Sequence, residues 1–190
     1  MNIFFLDCDP KRSAQYYFNR HCVKIILEIT QLLYTAQWTC SPDFFNSHPT
    51  TFEPYKKTHF NHPTAKWVRK CLANYDYACL LGLELCYEYT RRYGKTHKCQ
   101  ERLEWLVTNP ITTFDSNPYK ETTYLAEKNV PSGCSPVPLA MPSEFHQPDL
   151  IESYRSYYLI AKRNIPTKKE AGILDELERE WQISVDRKST

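Results

Sequence analysis

The run HCVKIILEITQLLYT, residues 21–35, limits the fold more than any other part of the chain. His21, Lys24, Glu28, Gln31 and Thr35 follow one another at spacings of three, four, three and four. At about 100° per residue they share a sector of roughly 80° on a helix. Around them Cys22, Val23, Ile25, Ile26, Leu27, Ile29, Leu32 and Leu33 are apolar. A surface helix carries an apolar stripe on a polar background, and here the pattern is inverted. Such a helix belongs at the centre of a helical domain. Polar groups buried there without partners would cost several kcal/mol each. The edge is therefore expected to face a hydrogen-bonding network, a ligand or a solvent slot. The competing reading is a narrow exposed edge on which Lys24 and Glu28 form an ordinary i, i+4 pair.

The flanking signals are helical too. Met1 to Leu6 reads as a strand-like lead-in beneath the core. Asp9 and Pro10 are an N-cap followed by a first-turn proline, which predicts a helix over 10–18 and a second over 20–38. Pro42, Pro49 and Pro54 make 39–61 a long loop. His62-Pro63 opens a helix to about 73. Another runs from 75 to 93 and stops at Gly94, and a shorter one over 98–107 ends at Asn109-Pro110. Residues 111–148 hold Pro118, Pro131, Pro136, Pro138 and Pro142 and read as an ordered wrap rich in Tyr, Phe and Met. Helical spacing returns over 149–163. The Glu-, Lys- and Leu-rich stretch 168–181 reads as an amphipathic helix. The expected fold is mainly α, a single-domain helical bundle with a central buried helix and a long Pro-rich ordered loop. Residues 1–165 form the helical domain. Residues 166–190 add a C-terminal helix or tail, joined to that domain or available to a second copy.

Twenty-four basic against 22 acidic residues leave a net charge of +2. That balance argues against coating nucleic acid by charge alone but permits a local cationic pocket. Fourteen tyrosines suit pocket walls. Of the eight cysteines, Cys22, Cys71, Cys79 and Cys86 lie in apolar helical runs and none forms a CxxC pair. They are expected to stay reduced. The opening MNIFFLDCDPKR lacks a signal-peptide pattern, and no stretch approaches about 18 apolar residues. A location inside the cell, in cytoplasm or nucleus and away from membranes, is the expectation.

Several polar clusters keep company with the stripe. HFNHPTAKWVR places His59, Asn61 and His62 before a helix and Trp67 and Arg69 within it. This suits a phosphate at a helix N-terminus or plain N-capping. EYTRRYGKTHK gathers Arg91, Arg92, Lys95, His97 and Lys98 at a helix end, as a phosphate clamp or as dipole complements. Glu84 and Glu88 sit one turn apart, for acid–base work or for pairing with the arginines. DLIESYRSYY sets Arg155 among Tyr154, Tyr157 and Tyr158, for base stacking or for packing. Asp7, Asp9, His21, His59 and His62 are the side chains that could converge on a metal. The chain has neither H-E-x-x-H nor the H…HD…D order, and it lacks a Walker loop, GxGxxG and G-x-S-x-G. No metal is assigned and no cofactor is required.

Taken in order, LDCDP, HCVKIILEITQLL, HFNHPTAKWVR, EYTRRYGKTHK, PLAMP and ESYRSYY resemble a family of short helical proteins of phages and large DNA viruses. The likeness spans about residues 1–162. Members tend to carry an acidic residue near Asn19 and an aromatic, Arg- and Pro-containing ending. This chain has Asn19 and a Lys/Glu-rich helix instead. The resemblance implies a viral or phage-like origin and no particular reaction.

The functional expectation is an enzyme acting on a nucleotide or nucleic-acid base, in nucleotide metabolism, DNA modification or repair. Glu28, His21 and His62 are the acid–base candidates. Lys24, Gln31, Asn61, Arg69, Arg92, Lys95, His97 and Arg155 are the phosphate and polar contacts, with Trp67 and Tyr75 for stacking. A reaction through an N-terminal amine is disfavoured, because Met1-Asn2 exposes no small residue as nucleophile. The alternatives are a non-enzymatic nucleotide sponge or partner-binding protein, and a metal-dependent phosphohydrolase.

Overall fold

A computed structural model describes residues 2–115 and 123–183. Segments 116–122 of the proline-rich wrap and 184–190 of the tail lie outside the described residues. Its helices are α1 (Pro10–Tyr16), α2 (Asn19–Cys40), α3 (Phe44–Ser47), α4 (Pro63–Val68), α5 (Leu72–Tyr93), α6 (Gln100–Thr108), α7 (Leu150–Ala161) and α8 (Ile173–Trp181). The one sheet among the described residues pairs β1 (Leu125–Ala126) with β2 (Val137–Pro138), antiparallel, with Leu125 opposite Pro138 and Ala126 opposite Val137. The protein is mainly α-helical, as its periodicity predicts.

Two 22-residue helices, α2 and α5, form the axis of the core. Helices α1 and α6 pack on α5, and α4 packs on α2. Gly82 makes the α2–α5–α6 junction possible. A Cβ there would lie 2.9 Å from Leu103 Cδ2 and 3.2 Å from Ile29 Cγ2. Ile25, Ile26, Ile29, Leu32 and Leu33 are all buried, so α2 is the central helix that its apolar circumference demands. Val23 and Leu27 are exceptions at 40% and 37% exposure.

The N-terminal lead-in is extended and buried from Ile3 to Leu6. At Phe4 and Leu6 its backbone groups are satisfied by side chains rather than by a neighbouring strand. The Tyr17 hydroxyl accepts from the Phe4 N–H at 2.9 Å and donates to the Phe4 carbonyl at 2.7 Å. Ser13 Oγ accepts from the Leu6 N–H at 3.2 Å, and Arg155 Nε donates to the Leu6 carbonyl at 2.8 Å. Buried backbone groups must find such partners.

Local signals set many boundaries. Asp9 caps α1 through the Arg12 N–H with Pro10 in the first turn, and Gly94 ends α5 at φ +64°. Asp149 caps α7 through the Glu152 N–H. The expected helix over 62–73 is shorter, because α4 ends at Val68. There the Asn74 side chain donates to the Trp67 carbonyl at 2.7 Å and accepts from the Ser135 N–H at 2.9 Å. Asn74 thus stitches the end of α4 to the wrap, and α5 begins earlier than expected, at Leu72.

The loop 39–61 contains the one-turn helix α3, held by Phe45 against Trp38 at 4.4 Å and Trp105 at 5.6 Å. The stretch 168–181 is broken at Gly172 (φ +86°) into a 3-10 turn and α8. Leu177 and Trp181 of α8 are buried. Trp181 meets the Tyr16 ring edge-on at 5.2 Å and lies 4.9 Å below the Arg155 guanidinium. All eight cysteines are free. Burial pushes the Cys22 thiol up to about 11 and Cys134 up to about 12, consistent with small inert hydrophobes.

Tyr17→Phe strands the buried Phe4 N–H and leaves the Phe4 carbonyl with only a long 3.5 Å contact from Ser13 Oγ, while keeping the packed ring in place. Unfolding in urea is expected to show a loss of about 2–4 kcal/mol. A loss below about 1 kcal/mol would mean that the hydroxyl does not anchor the lead-in.

Candidate functional site

The polar stripe of α2 runs from His21 to Thr35, about 21 Å of helix, and it divides. His21, Lys24 and Glu28 open into one cavity of about 290 Å³ with Asn2, Phe4, Ile25, His62, Ala140, Tyr157 and Lys162. Thr35 leaves the stripe: its hydroxyl donates to the Thr58 carbonyl at 2.9 Å and accepts from the Thr58 N–H at 3.1 Å, tying down the long loop. Gln31 is half-buried and outside this cavity's lining.

Four parts of the chain meet at Asn2. Its N–H donates to Glu28 Oε2 at 3.0 Å and its Nδ2 to the Ala140 carbonyl at 3.0 Å. Its Oδ1 accepts from Thr64 Oγ1 at 3.2 Å and from the Tyr154 hydroxyl at 3.5 Å. The wrap, α4 and α7 are thereby fixed to the lead-in at the wall of the cavity. Glu28 is the only carboxylate among the described lining residues. Its Oε1 lies 3.4 Å from Lys24 Nζ, whose side chain is 71% exposed against 12% for Glu28. Lys162 follows the end of α7 and sits 4.7 Å over the Tyr157 ring. Phe4 stacks on His21 at 5.0 Å.

The two histidines share one protonation pattern. The buried Tyr158 hydroxyl accepts from the Phe18 N–H at 2.9 Å and has His21 Nδ1, at 2.8 Å, as the acceptor for its own proton; donation there leaves no buried hydroxyl proton unsatisfied. His62 Nδ1 accepts from the Thr64 N–H at 3.2 Å and caps α4. A neutral ring that accepts at Nδ1 carries its proton on Nε2. Burial, with Lys162 and Lys24 nearby, lowers the His21 pKa to about 4. Burial likewise lowers that of His62. Both rings are therefore neutral near pH 7, with Nε2–H left as the donor. Read from sequence they are acid–base candidates; in the structure neither has a lone pair left on that nitrogen to take up a proton.

The cavity thus combines two ammonium groups, two imidazole N–H groups, one carboxylate and two aromatic rings. Such a lining can hold an anionic or carbonyl-bearing group and can offer one base. No family model, curated protein or solved structure matches the chain.

Most of the other expected contacts serve the fold. Trp67 and Tyr75 are fully buried and unavailable for stacking on a ligand. Trp67 Nε1 donates to the Ser135 carbonyl at 3.2 Å, and the Tyr75 hydroxyl accepts from Gln37 Nε2 at 3.1 Å. Arg69 is 1% exposed. Its Nε meets Asp115 Oδ2 at 2.8 Å, its Nη1 donates to the Phe60 carbonyl at 2.9 Å, and its plane covers the Phe60 ring at 4.3 Å. Arg92 binds the Tyr17 carbonyl at 2.7 Å, Asn19 Oδ1 at 3.0 Å and the Gln15 carbonyl at 3.1 Å. Both guanidinium groups are structural clamps rather than ligand contacts.

Arg91 and Arg92 also grip Glu88 at 2.5 and 2.6 Å. Against the burial that would raise it, these bonds hold the Glu88 carboxyl below its ordinary value. Glu84 and Glu88 therefore do not act as a catalytic pair. Arg155 is occupied by the Leu6 carbonyl and by Asp7 Oδ2 at 3.4 Å. Asn61 is exposed outside the cavity. Lys95 and His97 border a different cavity. Among the described residues no three His, Cys, Asp or Glu side chains converge as metal ligands, so Asp7, Asp9 and the histidines do not meet as one site. No described helix is long and apolar enough to cross a membrane.

Sequence reasoning missed Asn2, Phe4, Ala140 and Lys162. Each is a single residue on a non-helical segment or just past a helix end, where no periodicity marks it.

His21 gives a measurable consequence. Its folded pKa of about 4 lies below the unfolded value of about 6.5, so the unfolded chain binds more protons between these two values. Stability is fully present above about pH 6.5 and is lost as the pH falls toward 4. Urea unfolding is expected to show a loss of about 1–2 kcal/mol between pH 7.5 and 5.0, and a shallower loss in His21→Gln. His62, shifted in the same direction, retains part of the slope. Identical slopes in the two proteins would refute a neutral buried His21.

Proposed function

We propose that the protein is an enzyme acting on a nucleotide or nucleic-acid base held in the Glu28 cavity. Its setting would be the nucleotide metabolism, DNA modification or repair of a phage or large DNA virus. The observation that carries this reading is a single carboxylate in a lining that also holds two lysines, two histidines and two aromatic rings. Lys24 and Lys162 supply charge for a phosphate. The Nε2–H of His21 suits a carbonyl or phosphoryl oxygen, and Phe4 and Tyr157 offer faces for a base. A volume of about 290 Å³ lies near the small end for ligand cavities, which run from about 300 to 1,000 Å³. That favours one nucleotide unit. Glu28 then takes the proton from water or from the substrate while the donors stabilise the charge that develops.

One observation favours a second reading, a binder that sequesters a nucleotide. The Glu28 carboxylate already accepts from the Asn2 N–H and pairs with Lys24, so its oxygens are engaged by the protein's own groups before a substrate arrives.

A turnover screen over nucleotides and short DNA, repeated with Glu28→Gln, separates the two. The enzyme reading expects product from the native protein and a loss of about 100-fold or more in rate for the variant, with ligand affinity retained within a few-fold. Binding without product, unaltered in Glu28→Gln, would replace it with the sequestering role. In parallel, Lys24→Leu is expected to keep the native melting temperature and to weaken nucleotide binding about tenfold or more. Unchanged affinity would remove the phosphate role from Lys24.

A further inference from the structure

A second cavity, of about 650 Å³, lies beside the first and shares one residue with it, Lys24. Its walls include Val23 and Leu27 of α2 and the rings of Tyr55 and Tyr89, and Lys95 and Lys98 stand at its rim. It has no carboxylate among its described lining residues. Val23 and Leu27 are the partly exposed apolar residues of α2 near its middle, and this cavity is what they face.

On the helical wheel Val23 and Leu27 point about 140° away from His21, Ile25 and Glu28, and Lys24 falls between the two sets. Both sets occupy the same level of the helix axis. The two cavities therefore flank one ridge of α2, crowned by the exposed ammonium of Lys24.

The far wall is held firmly. His97 Nδ1 accepts from the Cys99 N–H at 3.1 Å, and its ring meets Tyr89 edge-on at 5.0 Å. The same imidazole lines the cavity together with Val23, and burial lowers its pKa. The segment carrying Lys95 and Lys98 is thereby held against Tyr89 of α5, which sets one aromatic wall.

We infer that the second cavity is a subsite for the neighbouring nucleotide of a single strand, with Lys24 taking the phosphate that crosses the ridge. The inference rests on the Glu28 cavity holding the first nucleotide. Aromatic walls accept the face of a base without regard to sequence, and a lysine rim tracks a phosphodiester backbone. A groove with basic groups and no acidic one matches that polyanion. The natural ligand is then a short stretch of single-stranded nucleic acid rather than a free mononucleotide.

Fluorescence anisotropy with a labelled mixed-sequence single strand, and calorimetry with the four deoxynucleoside monophosphates, test this on the full chain. The strand is expected to bind about tenfold or more tightly than the best mononucleotide. Leu27→Asp and Lys95→Glu change residues at the surface of the second cavity. Each is expected to reduce strand affinity about tenfold and to leave mononucleotide affinity and melting temperature unchanged. A strand that binds no better than a mononucleotide, or that binds both variants as tightly as the native protein, overturns the subsite and leaves the Glu28 cavity standing. Laurate that binds here and is not displaced by the strand also overturns it, in favour of an amphipathic anion. Failure of both strand and mononucleotides to bind would end the subsite and the nucleotide reading together.

Discussion

Ile3 to Leu6 lie in the core as extended chain, with no strand among the described residues beside them, and much of the architecture answers that demand. A buried N–H or carbonyl without a partner costs about 1–3 kcal/mol, so side chains must take the place of a sheet. Tyr17 and Ser13 come from the α1 side, Arg155 from α7 and Glu28 from α2. Each of these hydrogen bonds fixes the position of a different element relative to the lead-in. The Glu28 cavity forms at the end of this same ladder, where Asn2 turns to α2, to the wrap and to α4. Its geometry is a consequence of how the lead-in is held, and a change that loosens Phe4 or Asn2 would move the site's walls with it.

The electrostatics of the cavity follow from the same economy of partners. An imidazole placed near two lysines and largely removed from water is easier to keep neutral than charged. The fold then specifies which nitrogen keeps the proton. The Tyr158 hydroxyl accepts from Phe18, and His21 is the acceptor available to its buried proton. Thr64 does the equivalent for His62 through its own N–H. Charge of both signs at the cavity is thereby carried by Lys24, Lys162 and Glu28, while the rings contribute directed donors.

How much of this could be read in advance depended on how local the signal was. The central helix was legible because its apolar positions repeat over many turns, and Asp9-Pro10 and Gly94 mark helix ends through interactions within a few residues. His21, Lys24 and Glu28 were legible as a face because a helix places them together before any tertiary contact forms. Where a signal depended on distant partners, it misled. Trp67 and Arg69 sit in the same motif as His62, yet their partners are Ser135 and Asp115, far along the chain. Arg92 looked like part of a cationic cluster, and its hydrogen bonds reach back to Gln15, Tyr17 and Asn19. Composition cannot distinguish a guanidinium that clamps backbone carbonyls from one that awaits a phosphate. Asn2 and Lys162 gave no pattern, since the fold alone brings them to the cavity.

The division between arginine and lysine has a physical basis. A guanidinium offers five donors in a fixed plane and tolerates burial when several acceptors surround it, so Arg69, Arg92 and Arg155 are used where loops and helices must be pinned through carbonyls. An ammonium is a strongly hydrated point charge on a flexible stem and gains less from being enclosed. Lys24, Lys95 and Lys98 remain at the rims of the two cavities, with Lys24 on the ridge between them. Cations already surrounded by carbonyls have few donors left for a ligand, whereas those at an open rim can reorganise around one. In this chain Lys24, although paired with Glu28, stays largely exposed, and the rim lysines lie where a carboxylate, two imidazoles and aromatic faces are within reach.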